Sequence, residues 1–248
     1  SEFNLGLMCE RGDGVEQNFT QAFDWYEKAA QNGVVCAWCN LGALYARGDG
    51  VDQNSQEAFR CYEKGAKLGD RTSQYNLSIA YLDGDGVERD VDQGFYWMTL
   101  SARQSYPSAQ YYLGCMYCEA TVVSQDLEEA FLWIKRAADQ DHVNALIKLG
   151  IMYENGDGTT QNSENARKCY VRAVYQGSTV AQYNLGLMYE NGRGGPQDFF
   201  KAFKWYMASA QGGDLDAQYN LAFMYEQGLG TEQHVEEALR LYNICAEQ

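Results

Sequence analysis

A strict period limits what this chain can fold into more than any other feature. A Leu followed by a small residue recurs in register at Leu5-Gly6, Leu41-Gly42, Leu77-Ser78, Leu113-Gly114, Leu149-Gly150, Leu185-Gly186 and Leu221-Ala222, and every step is 36 residues without an insertion. Units of this length in tandem touch mainly their neighbours. The core therefore runs along the stack instead of sitting at the centre of a layered domain. Positions within a unit are numbered from the small residue of the pair, offset zero.

Each unit reads as two helices. Ala181, Leu185, Met188 and Tyr189 follow the i, i+4, i+7, i+8 spacing of one apolar helical face, on a helix designated A. Offset +3 is Tyr45, Tyr81, Tyr117, Tyr153, Tyr189 and Tyr225 in the last six units. Offset zero is always Gly, Ser or Ala, which admits the close approach of another helix. Helix A ends at a Gly such as Gly48 or Gly192, and a second Gly two residues later allows a sharp turn. Helix B opens on a capping residue at offset +12: Asn18, Asn54, Asp90, Asp126, Asn162 and Asp198, with His234 as the exception. Gln or Glu three residues later completes a capping box in most units. Gly33, Gly69, Gly177 and Gly213 end helix B, and Pro107 is expected to enforce the stop in the third unit. Helix B is apolar over a broad stripe (Ala202, Phe203, Trp205, Tyr206, Ala210), so it is expected to be covered both by its own helix A and by a neighbouring unit. The expected fold is all-α: an α/α superhelix, or solenoid, of seven 36-residue helix-turn-helix repeats with fourteen helices and no sheet. It occupies residues 1–248 as a single array and reads as an excerpt of a longer chain, cut within the array at both ends.

The pattern A-x-Y-x-L-G-x-x-Y-x-x-G-x-G-V, followed by A-x-x-W-Y-x-x-A-A and a closing Gly, resembles the Sel-1-like repeat, a relative of the tetratricopeptide repeat. The resemblance spans the whole chain. It implies an α-solenoid whose A helices line a concave face, and a role as a protein–protein adaptor. The fourth unit departs from the pattern: Glu119-Ala120-Thr121-Val122-Val123-Ser124 keeps the length of the loop but lacks both glycines.

Several function classes are poorly supplied. The net charge of −15 disfavours nucleic acid and anionic membrane surfaces, which call for a basic footprint. No apolar run reaches the roughly 18 residues of a membrane span. The eight cysteines do not recur at fixed offsets, so the regular disulfide of cysteine-rich members of the family is not expected, and free thiols in a reducing compartment are. Cys36-x-x-Cys39 and Cys115-x-x-Cys118 each look like half a zinc site, but they stand two units apart and cannot share a tetrahedral metal. Asp83-Gly84-Asp85-Gly86-Val87-Glu88 fails the ligand spacing of a calcium loop. His142 and His234, the two histidines, have no nucleophile motif beside them. No enzyme activity, cofactor or metal is expected.

The surface that remains is the stripe which, by the resemblance, faces inward on helix A at offsets −6, −3, +1, +4 and +5. Its candidate partner-binding residues are Tyr75, Tyr111, Tyr183 and Tyr219 at offset −3, and Glu154, Glu190 and Glu226 at offset +4. Tyrosine beside carboxylate suits a protein or peptide ligand, and the charge favours one with a basic segment. The expected function is a scaffold or adaptor that captures such a partner. The alternatives are a repeat domain attached to or regulating an enzyme, or a secreted bacterial host-interaction factor.

Overall fold

The computed structural model describes residues 1–120 and 122–247. Thr121, in the atypical fourth-unit loop, lies outside the described residues. Among the described residues there are fourteen α-helices and no strand. The chain divides into two compact units, Ser1–Gln125 and Asp126–Gln248. The first holds α1 (Glu2–Arg11), α2 (Phe19–Gln31), α3 (Val35–Arg47), α4 (Ser55–Lys67), α5 (Arg71–Asp83), α6 (Val91–Arg103) and α7 (Pro107–Glu119). The second holds α8 (Leu127–Asp139), α9 (Val143–Asn155), α10 (Ser163–Tyr175), α11 (Thr179–Glu190), α12 (Phe199–Gln211), α13 (Leu215–Gln227) and α14 (Val235–Ala246). Odd-numbered helices are the A helices of the repeat and even-numbered ones the B helices.

The helix boundaries follow the capping chemistry. The side chains of Asn18, Asn54, Asp90, Asp126, Asn162 and Asp198 accept the backbone N–H three residues on, which satisfies an otherwise orphaned donor of the first turn. His234 makes no such bond. Several A helices are capped as well: Asp70, Ser178 and Asp214 do so through oxygen, and His142 through Nδ1, which accepts the Ala145 N–H at 3.3 Å. Burial holds the His142 imidazole below its ordinary pKa, consistent with a neutral ring that accepts this bond. The expectation for Pro107 is corrected. Helix α6 stops at Arg103 and the chain reverses at Ser105, whose φ is 59°; Pro107 instead begins α7, where its missing N–H costs nothing.

Two contacts repeat along each unit. The first is between consecutive repeats: the Phe at offset +17 meets the Tyr at offset +3 of the next repeat edge to face, with ring centroids 5.3 Å apart for Phe23–Tyr45 and Phe59–Tyr81, and 5.1 Å for Phe203–Tyr225. The second is a backbone approach. The second loop glycine lies against the start of the preceding helix B, so that a Cβ on Gly158 would overlap the carbonyl of Leu127 and one on Gly86 the carbonyl of Ser55. Val122 stands at the equivalent place in the fourth repeat.

Cys9, Cys39, Cys61 and Cys169 are buried and serve as small apolar fillers, and none of the eight cysteines forms a disulfide. Cys61 and Cys169 are buried where other repeats carry Trp97 or Trp205. Burial is the main cause that pushes the Cys61 and Cys169 thiols up to about 11 and Cys39 up to about 12. Cys36 is exposed. In the native protein Cys36 is expected to react with a disulfide reagent at least about a hundredfold faster than Cys39, Cys61 and Cys169, because both access and thiolate fraction favour it. Timed thiol titration of the wild type and Cys36→Ser measures this. In denaturant all eight thiols should react without reductant; a requirement for reductant at six or more would mean that bridges had formed.

Candidate functional site: the tyrosine and carboxylate register of the A helices

The offset +4 carboxylates all sit in the last turn of an A helix, and each reaches a tyrosine hydroxyl on the B helix of its own repeat. In the second compact unit Tyr170 Oη donates to Glu154 Oε2 at 2.7 Å, Tyr206 to Glu190 at 2.5 Å, and Tyr242 to Glu226 at 3.0 Å. In the first, Tyr26 donates to Glu10 at 2.5 Å. The tyrosine stands at offset +20, sixteen residues after its acceptor. Tyr26, Tyr170 and Tyr206 are wholly buried. Desolvation, then the hydrogen bond to glutamate, push their hydroxyls well above the usual phenol range, so each stays a neutral donor. Tyr242, less covered, is pushed up to about 12 by the same causes.

The small residue at offset zero makes room for this ring. A Cβ on Gly6 would stand 2.6 Å from Tyr26 Cδ1, and one on Gly186 2.5 Å from Tyr206 Cδ1. Where the hydroxyl is lost, the acceptor is lost too. The third repeat pairs Met98 with Leu82, and Gly94 replaces the usual Ala because its Cβ would meet Leu82 at 2.6 Å.

The glutamates are therefore part of the internal bonding of the four repeats that carry them as well as of their surface. Glu154 has its side chain 18% exposed and takes a further contact from Arg193 at 3.4 Å, from the following repeat. Glu10 is bridged in the same manner by Arg47 at 3.0 Å. The candidate tyrosines divide by environment. Tyr183 is half-buried and lies on Tyr206, with centroids 5.8 Å apart. Tyr219 packs on Tyr242 at 5.4 Å yet remains 55% exposed. Four residues on, Phe223 is 41% exposed on the same face of α13. Tyr75 and Tyr111, in the first compact unit, join a tyrosine cluster through Tyr112, at 5.8 Å and 5.5 Å respectively. Tyr106 adds a further contact to Tyr75 at 5.3 Å. The sequence reading did not foresee the Tyr–Glu pairs. A partial signal was present as co-occurrence within the chain: Glu10 with Tyr26, Glu154 with Tyr170, Glu190 with Tyr206 and Glu226 with Tyr242, against Leu82 with Met98 and Cys118 with Ile134, although Tyr62 stands with Ala46.

Among the described residues no group of three His, Cys, Asp or Glu side chains converges as a metal site, and no helix is long and apolar enough to cross a membrane.

Comparison with known proteins places this geometry. The Sel1 repeat matches over residues 1–34, 39–70, 72–106, 107–142, 143–178, 179–214 and 215–248. A protective antigen of uropathogenic Escherichia coli, c5321, which displays an SLR fold, is similar at 34% identity with a TM-score of 0.89; the match covers 100% of this chain and 53% of the antigen. The present chain thus spans about half the length of that relative. A Sel1 repeat protein from Oxalobacter formigenes is similar at 26% identity with a TM-score of 0.84, over 98% of this chain and 96% of that one. No curated protein matches.

Proposed function

Because the chain belongs to the Sel1 repeat family, we propose that it is a non-catalytic interaction scaffold that captures a peptide or protein on the A-helix stripe at offsets −3, +1 and +4. The observation that carries this reading is the apolar surface at offsets −3 and +1 of the second compact unit. Tyr219 and Phe223 are 55% and 41% exposed, and Ile151 is 37% exposed at the same offset as Phe223. Aromatic side chains left open at helical spacing serve as anchors for a partner. Glu154, Glu190 and Glu226 add a row of carboxylates to the stripe, each held in place by a tyrosine hydroxyl. The net charge of −15 adds a long-range field. Both favour a partner with a basic segment, with charge acting on association and the aromatic anchors on dissociation.

The test is an array of peptides, basic and neutral, probed with the purified chain. Tyr219→Ala with Phe223→Ala is expected to weaken bound peptides by about 1–2 kcal/mol, through the off-rate, with helicity unchanged. Leu132→Ala with Leu239→Ala, on exposed positions of B helices, should leave them unaffected. Equal losses in both pairs, or none in the first, would remove the stripe as the binding surface.

A further inference from the structure

Three departures from the repeat pattern meet at one tyrosine, on a surface separate from the A-helix stripe. Tyr189 occupies offset +3, where the tyrosine elsewhere meets a Phe of the preceding helix B; at this step the residue at the Phe position is Arg167. Offset +9 is Val or Thr in the other repeats but Gly195 in this one, and a Cβ there would stand 2.6 Å from Arg167 Nη1. The missing side chain is what accommodates the guanidinium. Offset +15 carries Gln, Glu or Asn elsewhere but Lys201 in this repeat, and its Nζ lies 5.2 Å from the Tyr189 ring centroid.

The result is a pair of adjoining cavities that share Tyr189. One, of about 440 Å³, is lined by Tyr189, Lys201, Lys204, Trp205 and Ala208. The other, of about 620 Å³, is lined by Tyr189, Arg167, Lys168, Val171 and Arg172. Five cations and no carboxylate line them, on a chain with 34 acidic and 19 basic residues. Glu164, Asp141 and Asp198 pair with Lys168, Arg172 and Lys201 from outside the lining. Arg167 and Lys204 form no ion pair among the described residues. The equivalent cleft between the first two repeats is lined instead by Phe23, Glu27, Glu57 and Lys64 among others, so its charge is mixed.

We propose that the Tyr189 cleft, walled by Arg167, Lys201, Lys204 and Trp205, is a binding site for a short acidic peptide segment of a partner protein that carries an apolar side chain between its carboxylates. The aromatic rings take the apolar side chain, and Arg167 presents a planar fork suited to a carboxylate. The cations are few and local, and the surrounding field of the chain is negative. A short segment fits this arrangement, whereas an extended polyanion such as nucleic acid is repelled by the rest of the surface.

The probe is a fluorescein-labelled peptide of Asp and Glu residues with one central Phe, followed by anisotropy at low salt. Saturable binding to the wild-type chain is expected. Arg167→Glu with Lys201→Glu should raise Kd by at least about tenfold. Arg167→Phe with Gly195→Val restores the residues usual at these offsets; it should abolish binding equally while thermal stability is retained, which separates loss of the site from loss of the fold. Arg60→Glu with Lys67→Glu, an equal charge change on another exposed helix, should leave Kd within about twofold. The proposal is overturned by absence of saturable binding, by an equal loss in the Arg60/Lys67 variant, or by retained binding in the Arg167→Phe/Gly195→Val variant. It is also overturned if an oligothymidylate or phosphatidylserine vesicles bind more tightly than the peptide.

Discussion

Gly158→Ala is expected to destabilise the protein by about 2–4 kcal/mol, whereas Gly14→Ala, at the same offset in the first repeat, should cost only about 1 kcal/mol. Both glycines have positive φ, 64° and 74°, so both variants carry the strain of a side chain in left-handed backbone. They differ in what lies opposite. The new methyl group at residue 158 overlaps the Leu127 carbonyl at the start of α8, and backbone at a capped helix terminus cannot rotate away as a side chain would. Nothing lies within 4 Å of the methyl group at residue 14. Urea denaturation of the two variants, followed by circular dichroism, makes the comparison. Equal shifts would mean that the second loop glycine serves its own turn alone and not the stacking of repeats.

The second large effect concerns the tyrosine over offset zero. Tyr206→Ala should cost about 3–5 kcal/mol, since it empties a wholly buried ring site closed by Gly186 and Tyr183. Tyr206→Phe keeps the ring and removes only the bond to Glu190, so its cost should be about 1–2 kcal/mol. Combined with Glu190→Ala in a double-mutant cycle, it should show a coupling of about 1 kcal/mol, because each single change removes one partner of the same hydrogen bond. A coupling near zero would return Glu190 to the status of ordinary surface charge. Substitution of Glu190 or Glu226 to test binding therefore also tests the fold, which is why the exposed pair Tyr219 and Phe223 is the cleaner probe of the A-helix stripe.

Much of the fold was legible because a 36-residue period repeats its evidence. A single Asn before a Phe says little; Asn or Asp at offset +12 in six repeats fixes the start of every B helix but the last, and each of those caps is made. Local signals were misread where the repeat deviates. Pro107 was expected to end α6, yet the left-handed turn falls on Ser105, which is not a residue type that announces one. The environment of the candidate stripe residues was not legible in the sequence. Tyr219 is open as a surface residue should be, while Tyr183 is half-buried against Tyr206.

Taken alone, the sequence determined the helix count, most helix boundaries, the small residue at a close helix approach and the all-α solenoid class. Periodicity and capping act within a few residues along the chain and leave their mark there. Only the tertiary structure decided what the glutamates bond to and why the second loop glycine has no side chain. The same is true of the meeting of Arg167, Gly195 and Lys201 around Tyr189. Those contacts join residues 12 to about 40 positions apart, through the packing of helices within a repeat and of one helix pair on the next. Helical periodicity shows that a residue faces a neighbour, but the side chain it meets is set by the stacking of repeats, which no local pattern encodes.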